Sequence, residues 1–156
     1  MCRRRNSMID VVRLTPERFD EFIELVNALA DYEHLNRPPA DAVERLRADA
    51  FAPSPRFVAL LGLLDGKAVG YAITLETYSS FLAKPTQYLE DLFVLEDART
   101  HGVGGRLFDA VHDMARTNGC GRMEWQVLDW NMLARDFYAR RQATYMKEWL
   151  VYRITL

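Results

Sequence analysis

Apolar residues recur along the first third of the chain at spacings that predict one strand and two helices. Residues 9–14 form a short stretch with β-branched side chains, which predicts a strand. Thr15-Pro16 then supplies a helix cap followed by proline at the first helical position. From Phe19 to about Asp31 the apolar residues return every three or four positions, which predicts an amphipathic helix. Pro38-Pro39 interrupts this pattern before a weaker helix at residues 41–50.

The middle of the chain predicts three strands. Residues 57–64 are almost continuously apolar, Asp65-Gly66 forms a strong two-residue turn, and residues 68–78 resume with strand-forming side chains, so this stretch is predicted to be a hairpin. Residues 87–95 predict the third strand, with Glu90-Asp91 as an acidic interruption. Such an interruption in a core strand indicates a bulge or a site.

The last third alternates between helix and strand. Its predicted elements, in order, are a helix from Val103 that stops at Asn118-Gly119, a strand over Arg122–Leu128, a helix capped by Asn131 that includes Tyr138, and a final strand over Trp149–Leu156. The element order is therefore β-α-α-β-β-β-α-β-α-β, which places the protein in the mixed α/β (α+β) class.

Length and composition limit what the protein can be. A chain of 156 residues fits one domain, expected at residues 8–156 after a disordered tail at residues 1–7, with Met8 as a candidate natural start. A net charge of −2 argues against nucleic-acid binding through bulk positive charge. No apolar run approaches the ~18 residues of a membrane span. Two cysteines favour the cytoplasm over a disulfide framework, and three histidines without ligand spacing predict no metal.

A glycine-rich turn separates the third predicted strand of the middle region from the helix that begins at Val103. Glycine allows a ligand close to the backbone, and the unpaired N–H groups of a first helical turn attract anions, so residues 96–105 could hold a phosphate group. The spacing lacks the lysine of a P-loop and has Leu107 where a dinucleotide fingerprint has glycine or alanine. The alternative is a turn whose glycines serve backbone geometry alone.

Several motifs together resemble a known family. Arg99-x-x-Gly102-x-Gly104, after a strand that ends at Val94, resembles the acetyl-coenzyme-A signature of the GCN5-related N-acetyltransferases (GNAT). The segments 88–94, 129–131 and 137–141 stand at the intervals of the diamine and polyamine (spermidine/spermine-type) branch, and the similarity runs from about residue 11 to residue 154. The chain departs from close relatives at Thr100 and Gln142, where those relatives carry glycine. The resemblance implies a mixed, mostly antiparallel sheet with helices on both faces.

The resemblance also implies acetyl-CoA as co-substrate. The pantetheine arm would lie between diverging strands at residues 92–94 and 124–128, and the diphosphate would rest on the amides after Arg99. The residues expected to contact acetyl-CoA are Leu92, Phe93, Val94, Arg99, Thr100, His101, Gly102, Val103, Gly104, Gly105, Asn131 and Tyr138. Asn131 is equally well explained as a plain helix cap, and the two roles can coexist.

Amine acetylation needs an acceptor for the amine proton, a donor to the acetyl oxygen and a proton for the departing thiolate. Glu90 is the candidate acceptor, acting through water, and its alternative is a solvated strand edge. Tyr138 matches the family's acid, and its alternative is a half-buried core aromatic. A backbone N–H near Leu92 or Phe93 is the expected donor to the acetyl oxygen.

The acceptor is expected to be a cationic amine held by an acidic pocket that also includes Asp31. Its predicted contacts are Tyr32, Glu33, Glu90, Asp91, Glu124, Trp125 and Gln126, although each carboxylate could equally be a surface charge. The expected reaction is direct attack in a ternary complex by a primary amine, either a small di- or polyamine or an amino-acid-like amine. Acetylation of a protein lysine or N-terminus and non-catalytic CoA binding by a regulatory module are the alternatives. A homodimer is expected from the resemblance alone.

Overall fold

The computed structural model describes residues 7–156, so most of the predicted N-terminal tail lies outside the described residues. These residues form two compact units, one that ends at Trp125 and one that begins at Gln126. The single domain over residues 8–156 stays a prediction. The strands are β1 (Ile9–Arg13), β2 (Val58–Leu64), β3 (Lys67–Ser79), β4 (Lys84–Val94) and β5 (Arg122–Trp125), and the helices are α1 (Phe19–Tyr32), α2 (Ala40–Ala50), α3 (Val103–Thr117) and α4 (Met132–Arg140).

The first unit is built on one five-stranded sheet in the order β1-β2-β3-β4-β5. Neighbouring strands are antiparallel except β4 and β5, which are parallel. Asp65 and Gly66, with φ of 50° and 84°, form the predicted turn between β2 and β3, because a two-residue hairpin of this kind needs positive φ at both positions. The mixed, mostly antiparallel sheet is therefore confirmed.

Helices cover both faces of this sheet. On one face Phe22 of α1 meets Tyr71 of β3 edge to face, with ring centroids 5.4 Å apart, and both side chains are fully buried. On the other face α3 approaches β2 at Gly62, where an added Cβ would lie 2.5 Å from Val103 Cγ1. Adjacent residues of a strand point to opposite faces, and position 62 points toward α3. Because glycine has no side chain, it leaves room there for the first turn of α3. No helix among the described residues is long and apolar enough to cross a membrane.

Two strand predictions in the last third are wrong. Residues 149–156 form no regular secondary structure, and apolar side chains such as Trp149 and Tyr152 are 76% and 89% exposed. The fifth strand ends at Trp125 instead of Leu128. Both segments have β-forming sequences, but a strand also needs a pairing partner, and the local pattern does not specify one.

Candidate active site

Strand β4 has an open edge over its carboxyl-terminal half. Its parallel pairing with β5 runs from Thr86, opposite Arg122, to Leu89, opposite Trp125, and stops there. From Asp91 to Val94 the strand continues to pair with β3. One edge of this stretch therefore presents backbone groups that have no strand partner within the described part of the first unit.

The alternation of the backbone identifies which groups face the open edge. The N–H of Leu95 donates to Val69 O of β3 at 2.8 Å, whereas Val94 O accepts from Arg99 Nε at 3.0 Å. Backbone groups of successive strand residues point to opposite edges, so those of Leu92 and Val94 face the open edge and those of Phe93 face β3. Of the two predicted donors to the acetyl oxygen, the geometry therefore favours Leu92.

A β-bulge interrupts β4 at Glu90, as the acidic interruption predicted. Ile73 of β3 lies opposite Asp91 and the next residue, Thr74, lies opposite Leu89, so Glu90 is the extra residue. The Glu90 side chain is exposed. Asp91 lies on the face covered by α1, where Tyr71 Oη donates to Asp91 Oδ2 at 3.1 Å. The bulge thus directs two adjacent carboxylates into different surroundings.

Burial and neighbouring charge perturb the carboxylates around this bulge. Burial is the main reason that the pKa of Asp91 is raised to about 6; the hydrogen bond from Tyr71 opposes this rise, and the negative charges of Glu90 and Glu33 add to it. Burial, the Asp91 charge and that same bond hold the pKa of Tyr71 far above its ordinary value, so its hydroxyl stays protonated. Burial also raises the pKa of Glu33, which follows the last residue of α1.

These carboxylates lack cationic partners in the described part of the chain. Among the residues that the structure describes, Glu33, Glu90 and Asp91 form no ion pair. Carboxylates that influence one another and have no internal cation favour a positively charged ligand. Three residues of the predicted acidic pocket therefore lie close enough to influence one another electrostatically, and the pocket itself stays a prediction.

Other residues predicted for the pocket have other contacts. Asp31 is paired with Arg37 at 2.6 Å and exposed. Glu124 forms an ion pair with Arg122 at 3.0 Å. The pKa of Tyr88 is raised mainly by burial, then by the charge of Glu90 and then by that of Glu124. Trp125 packs on α3, edge to face with the Phe108 ring at a centroid distance of 5.4 Å. Gln126 belongs to the second unit.

Two tyrosines near the carboxylates were missed by the sequence analysis. Tyr71 lies beneath Asp91, and Tyr88 lies opposite Glu124 on the neighbouring strand. The alternation of side chains along a strand predicts which face of the sheet each tyrosine lies on. It does not predict their carboxylate neighbours, because these belong to other strands. Only the strand register brings these groups together.

The glycine turn places unpaired amides beside the open edge. Thr100 and Gly102 have φ of 71° and 91°, and Gly102 caps α3 without a side chain. The first intrahelical bond is donated by Arg106 N to Gly102 O at 3.1 Å, so the N–H groups of residues 103–105 have no acceptor within the helix. A Cβ on Gly104 would lie 3.5 Å from Val94 Cγ2, which places the first turn of α3 against β4.

The side chains of two other loop residues contact protein groups. His101 Nδ1 lies 3.2 Å from Ala98 O and 3.1 Å from Arg99 O, so this ring nitrogen faces carbonyls of its own turn. The Arg99 guanidinium lies 4.9 Å above the Tyr32 ring centroid. Neither contact uses the amides of residues 103–105.

The second unit contains Asn131 and Tyr138. Asn131 Oδ1 accepts from Ala134 N at 3.1 Å, which confirms the helix cap. Burial raises the pKa of Tyr138 to about 12, so its hydroxyl carries a proton at neutral pH. Gln142 has a φ of 60°, and its backbone N–H donates to Ala139 O at 3.0 Å, so the turn after α4 adopts the left-handed conformation that favours glycine.

The open edge of β4 and the glycine-capped helix that follows it, in a mostly antiparallel sheet, agree with what the family resemblance implies. The model of the acetyltransferase (GNAT) family matches residues 20–143. The chain belongs to this family, and it is an N-acetyltransferase by class.

Curated relatives include enzymes named for small amines. The chain is 42% identical to L-ornithine N5-acetyltransferase NATA1 of Arabidopsis thaliana over 60% of its length, and this alignment spans only 41% of that relative. It is 33% identical to thialysine N-epsilon-acetyltransferase of Bos taurus over 74% of its length and 72% of the relative. A spermidine/spermine N(1)-acetyltransferase-like protein of Homo sapiens is 30% identical over 79% of the chain and 19% of that relative.

Solved structures share the fold at lower identity. The aminoglycoside N-acetyltransferase AAC(6')-Iy, solved in complex with CoA, superposes with a TM-score of 0.79 at 21% identity, over 98% of this chain and 99% of that one. A probable acetyltransferase superposes with a TM-score of 0.81 at 22% identity, over 94% and 97% of the two chains. At these identities the likeness shows the fold alone.

Proposed function

We propose that this protein transfers an acetyl group from acetyl-CoA to a primary amine of a small di- or polyamine or an amino-acid-like compound. The observation that carries the proposal is the position of Gly104 beside Val94, where an added Cβ would lie 3.5 Å from Val94 Cγ2, because it brings the unpaired amides of α3 next to the open edge of β4. A diphosphate suits those amides, and an extended amide-bearing arm suits an open strand edge. The names of the relatives support a small amine as acceptor.

The first unit supplies groups for both substrates. The N–H groups of residues 103–105 bind the diphosphate, and the Leu92 carbonyl and the Val94 N–H bind the pantetheine arm. Acetyl-CoA supplies the activated acetyl group. The Leu92 N–H donates to the acetyl oxygen, which becomes more negative as the amine attacks.

The acidic cluster binds and deprotonates the amine. Glu33 and Asp91 attract its cationic form. Glu90 at the bulge takes one proton through water, because an alkylamine with a pKa of about 10.4 is mostly protonated at neutral pH. The amine then attacks directly, so no acetyl group is carried by the protein. By the family resemblance, Tyr138, whose pKa of about 12 keeps its hydroxyl protonated at neutral pH, gives a proton to the departing thiolate. The attacking nitrogen loses its second proton as the amide forms, and this proton restores the Tyr138 hydroxyl through water.

Two measurements test the proposal. CoA should raise the unfolding temperature, because a ligand at 100 times its dissociation constant stabilises by ~2.7 kcal/mol. Release of free thiol from acetyl-CoA should then accompany turnover of at least one member of a panel of ornithine, thialysine, spermidine and lysine-containing peptides. Turnover with peptides alone would replace the small-amine proposal by protein acetylation. CoA binding without turnover would favour a regulatory module.

Tyr138→Phe tests the acid. The change should lower kcat by about 100-fold while leaving the CoA dissociation constant nearly unchanged, because general acid catalysis contributes about 10²–10⁴-fold. Tyr152→Phe is the matched control, since Tyr152 is 89% exposed and has no role in the proposal. Equal activity in Tyr138→Phe and the wild type would remove Tyr138 from the mechanism.

The family resemblance also leads us to propose a homodimer located in the cytoplasm. Light scattering during gel filtration measures the mass of the assembly, and a mass of one chain at micromolar concentration would contradict the dimer. Fractionation of the cells that produce the protein tests the location.

A further inference from the structure

The Arg99 side chain contacts the open edge of β4 and the end of α1. Its Nε donates to Val94 O at 3.0 Å, and its guanidinium carbon lies 4.9 Å from the Tyr32 ring centroid and 5.9 Å from that of Phe93. All three contacts lie in the sheet or at the end of α1. The backbone of Arg99 meanwhile leads directly into the left-handed residue Thr100 and the glycine turn.

This arrangement connects two parts of the site that are separate in the sequence. Tyr32 is the last residue of α1, and the next residue, Glu33, is one of the carboxylates that raise the pKa of Asp91. Val94 belongs to the open edge and contacts the first turn of α3. A planar guanidinium holds both neighbours at once, because it stacks on a ring while an N–H donates in its plane.

Given the proposed function, we infer that Arg99 is a positioning residue that couples the diphosphate loop to the amine-binding end of α1. Any movement of the loop when it takes up a diphosphate moves the guanidinium, and the stacked Tyr32 ring carries that change to Glu33. CoA binding should therefore strengthen amine binding, and the Arg99–Tyr32 contact should carry most of this coupling. Arg106, which is exposed in the first turn of α3, is then the arginine that neutralises phosphate charge beside the amides of that turn.

A double-mutant cycle tests the contact. Arg99→Gln removes the cation and Tyr32→Leu removes the ring. Each single change should raise the KM of the best amine in the panel by about threefold to tenfold, the size expected for a partly buried cation–π contact. The double variant should do no more than the larger single change, because either change already breaks the contact. Tyr32→Phe retains the ring and should lie nearer the wild type than Tyr32→Leu.

The same variants separate coupling from phosphate binding. In the wild type, CoA should lower the dissociation constant of the amine, and in Arg99→Gln this effect should shrink toward no change. Arg106→Gln should instead raise the CoA dissociation constant and reduce its dependence on salt. Arg116→Gln is the control for charge, since Arg116 is exposed in the last turn of α3.

Additive effects of the two single changes would overturn the inference. So would an Arg99→Gln variant that binds CoA more weakly, with altered salt dependence, yet has an unchanged KM for the amine. Absence of CoA binding in the wild type would instead refute the proposed function. A urea-unfolding cycle on the same four proteins would then still report the contact, and additive unfolding free energies would overturn it.

Discussion

The Asp91 carboxyl should make the protein less stable as the pH rises toward neutrality. Its pKa is about 6 in the folded protein, mainly because it is buried. In the unfolded chain an aspartate has a pKa of about 3.9. Between about pH 4 and pH 6 the folded state therefore binds more protons than the unfolded state, and the free energy of unfolding falls as the pH rises through this window.

The size of the effect follows from the difference between the two pKa values. Each tenfold change in acid dissociation is worth about 1.4 kcal/mol, so ionised Asp91 costs the folded state up to about 3 kcal/mol above pH 7. Asp91→Asn removes this cost and keeps an acceptor for Tyr71 Oη. The variant should therefore be more stable than the wild type by up to about 3 kcal/mol at pH 7.5, with a much smaller difference at pH 4.5.

Urea unfolding at pH 4.5, 6.0 and 7.5, followed by tryptophan fluorescence, measures this difference. Asp113→Asn is the matched control, because Asp113 is exposed on α3 and the same charge is removed. Its stability should stay within about 0.5 kcal/mol of the wild type. A gap between Asp91→Asn and the wild type that does not change with pH would refute the argument, as would a less stable variant at pH 7.5.

Three further changes test the backbone and packing around the site. Thr100→Gly should stabilise the protein by about 0.5–1 kcal/mol. A left-handed residue other than glycine costs about 1–2 kcal/mol, whereas glycine costs about 0.5–1 kcal/mol in chain entropy. Thr100→Ala keeps Cβ and should gain no stability in urea unfolding. Gln142→Gly should stabilise by a similar amount for the same reason, and a loss of stability would contradict the left-handed turn. Gly62→Ala should destabilise by about 1–3 kcal/mol and weaken CoA binding in calorimetry, because its Cβ would meet Val103 Cγ1 at 2.5 Å and displace the turn that carries the amides. Unchanged CoA affinity would show that the packing of Gly62 against Val103 does not affect the CoA site.

The sequence by itself determined the features that depend on neighbouring residues. Helical spacing predicted α1 and α3, and Asp65-Gly66 predicted the hairpin turn. The adjacent carboxylates predicted a bulge or a site in the third strand of the middle region, where the bulge lies at Glu90, and Asn131 predicted the cap of α4. Each of these signals arises from backbone preferences or side chains within a few residues, so it can be recognised in one chain.

Only the tertiary structure decided which groups from distant parts of the chain meet. The register of β3 against β4 puts the Tyr71 hydroxyl on Asp91 and turns the Leu92 amide, not that of Phe93, toward the open edge. The Arg99 side chain lies on Tyr32, 67 positions earlier in the chain. The predicted strand at residues 149–156 failed for the same physical reason, because pairing depends on a distant partner and local propensity does not select one.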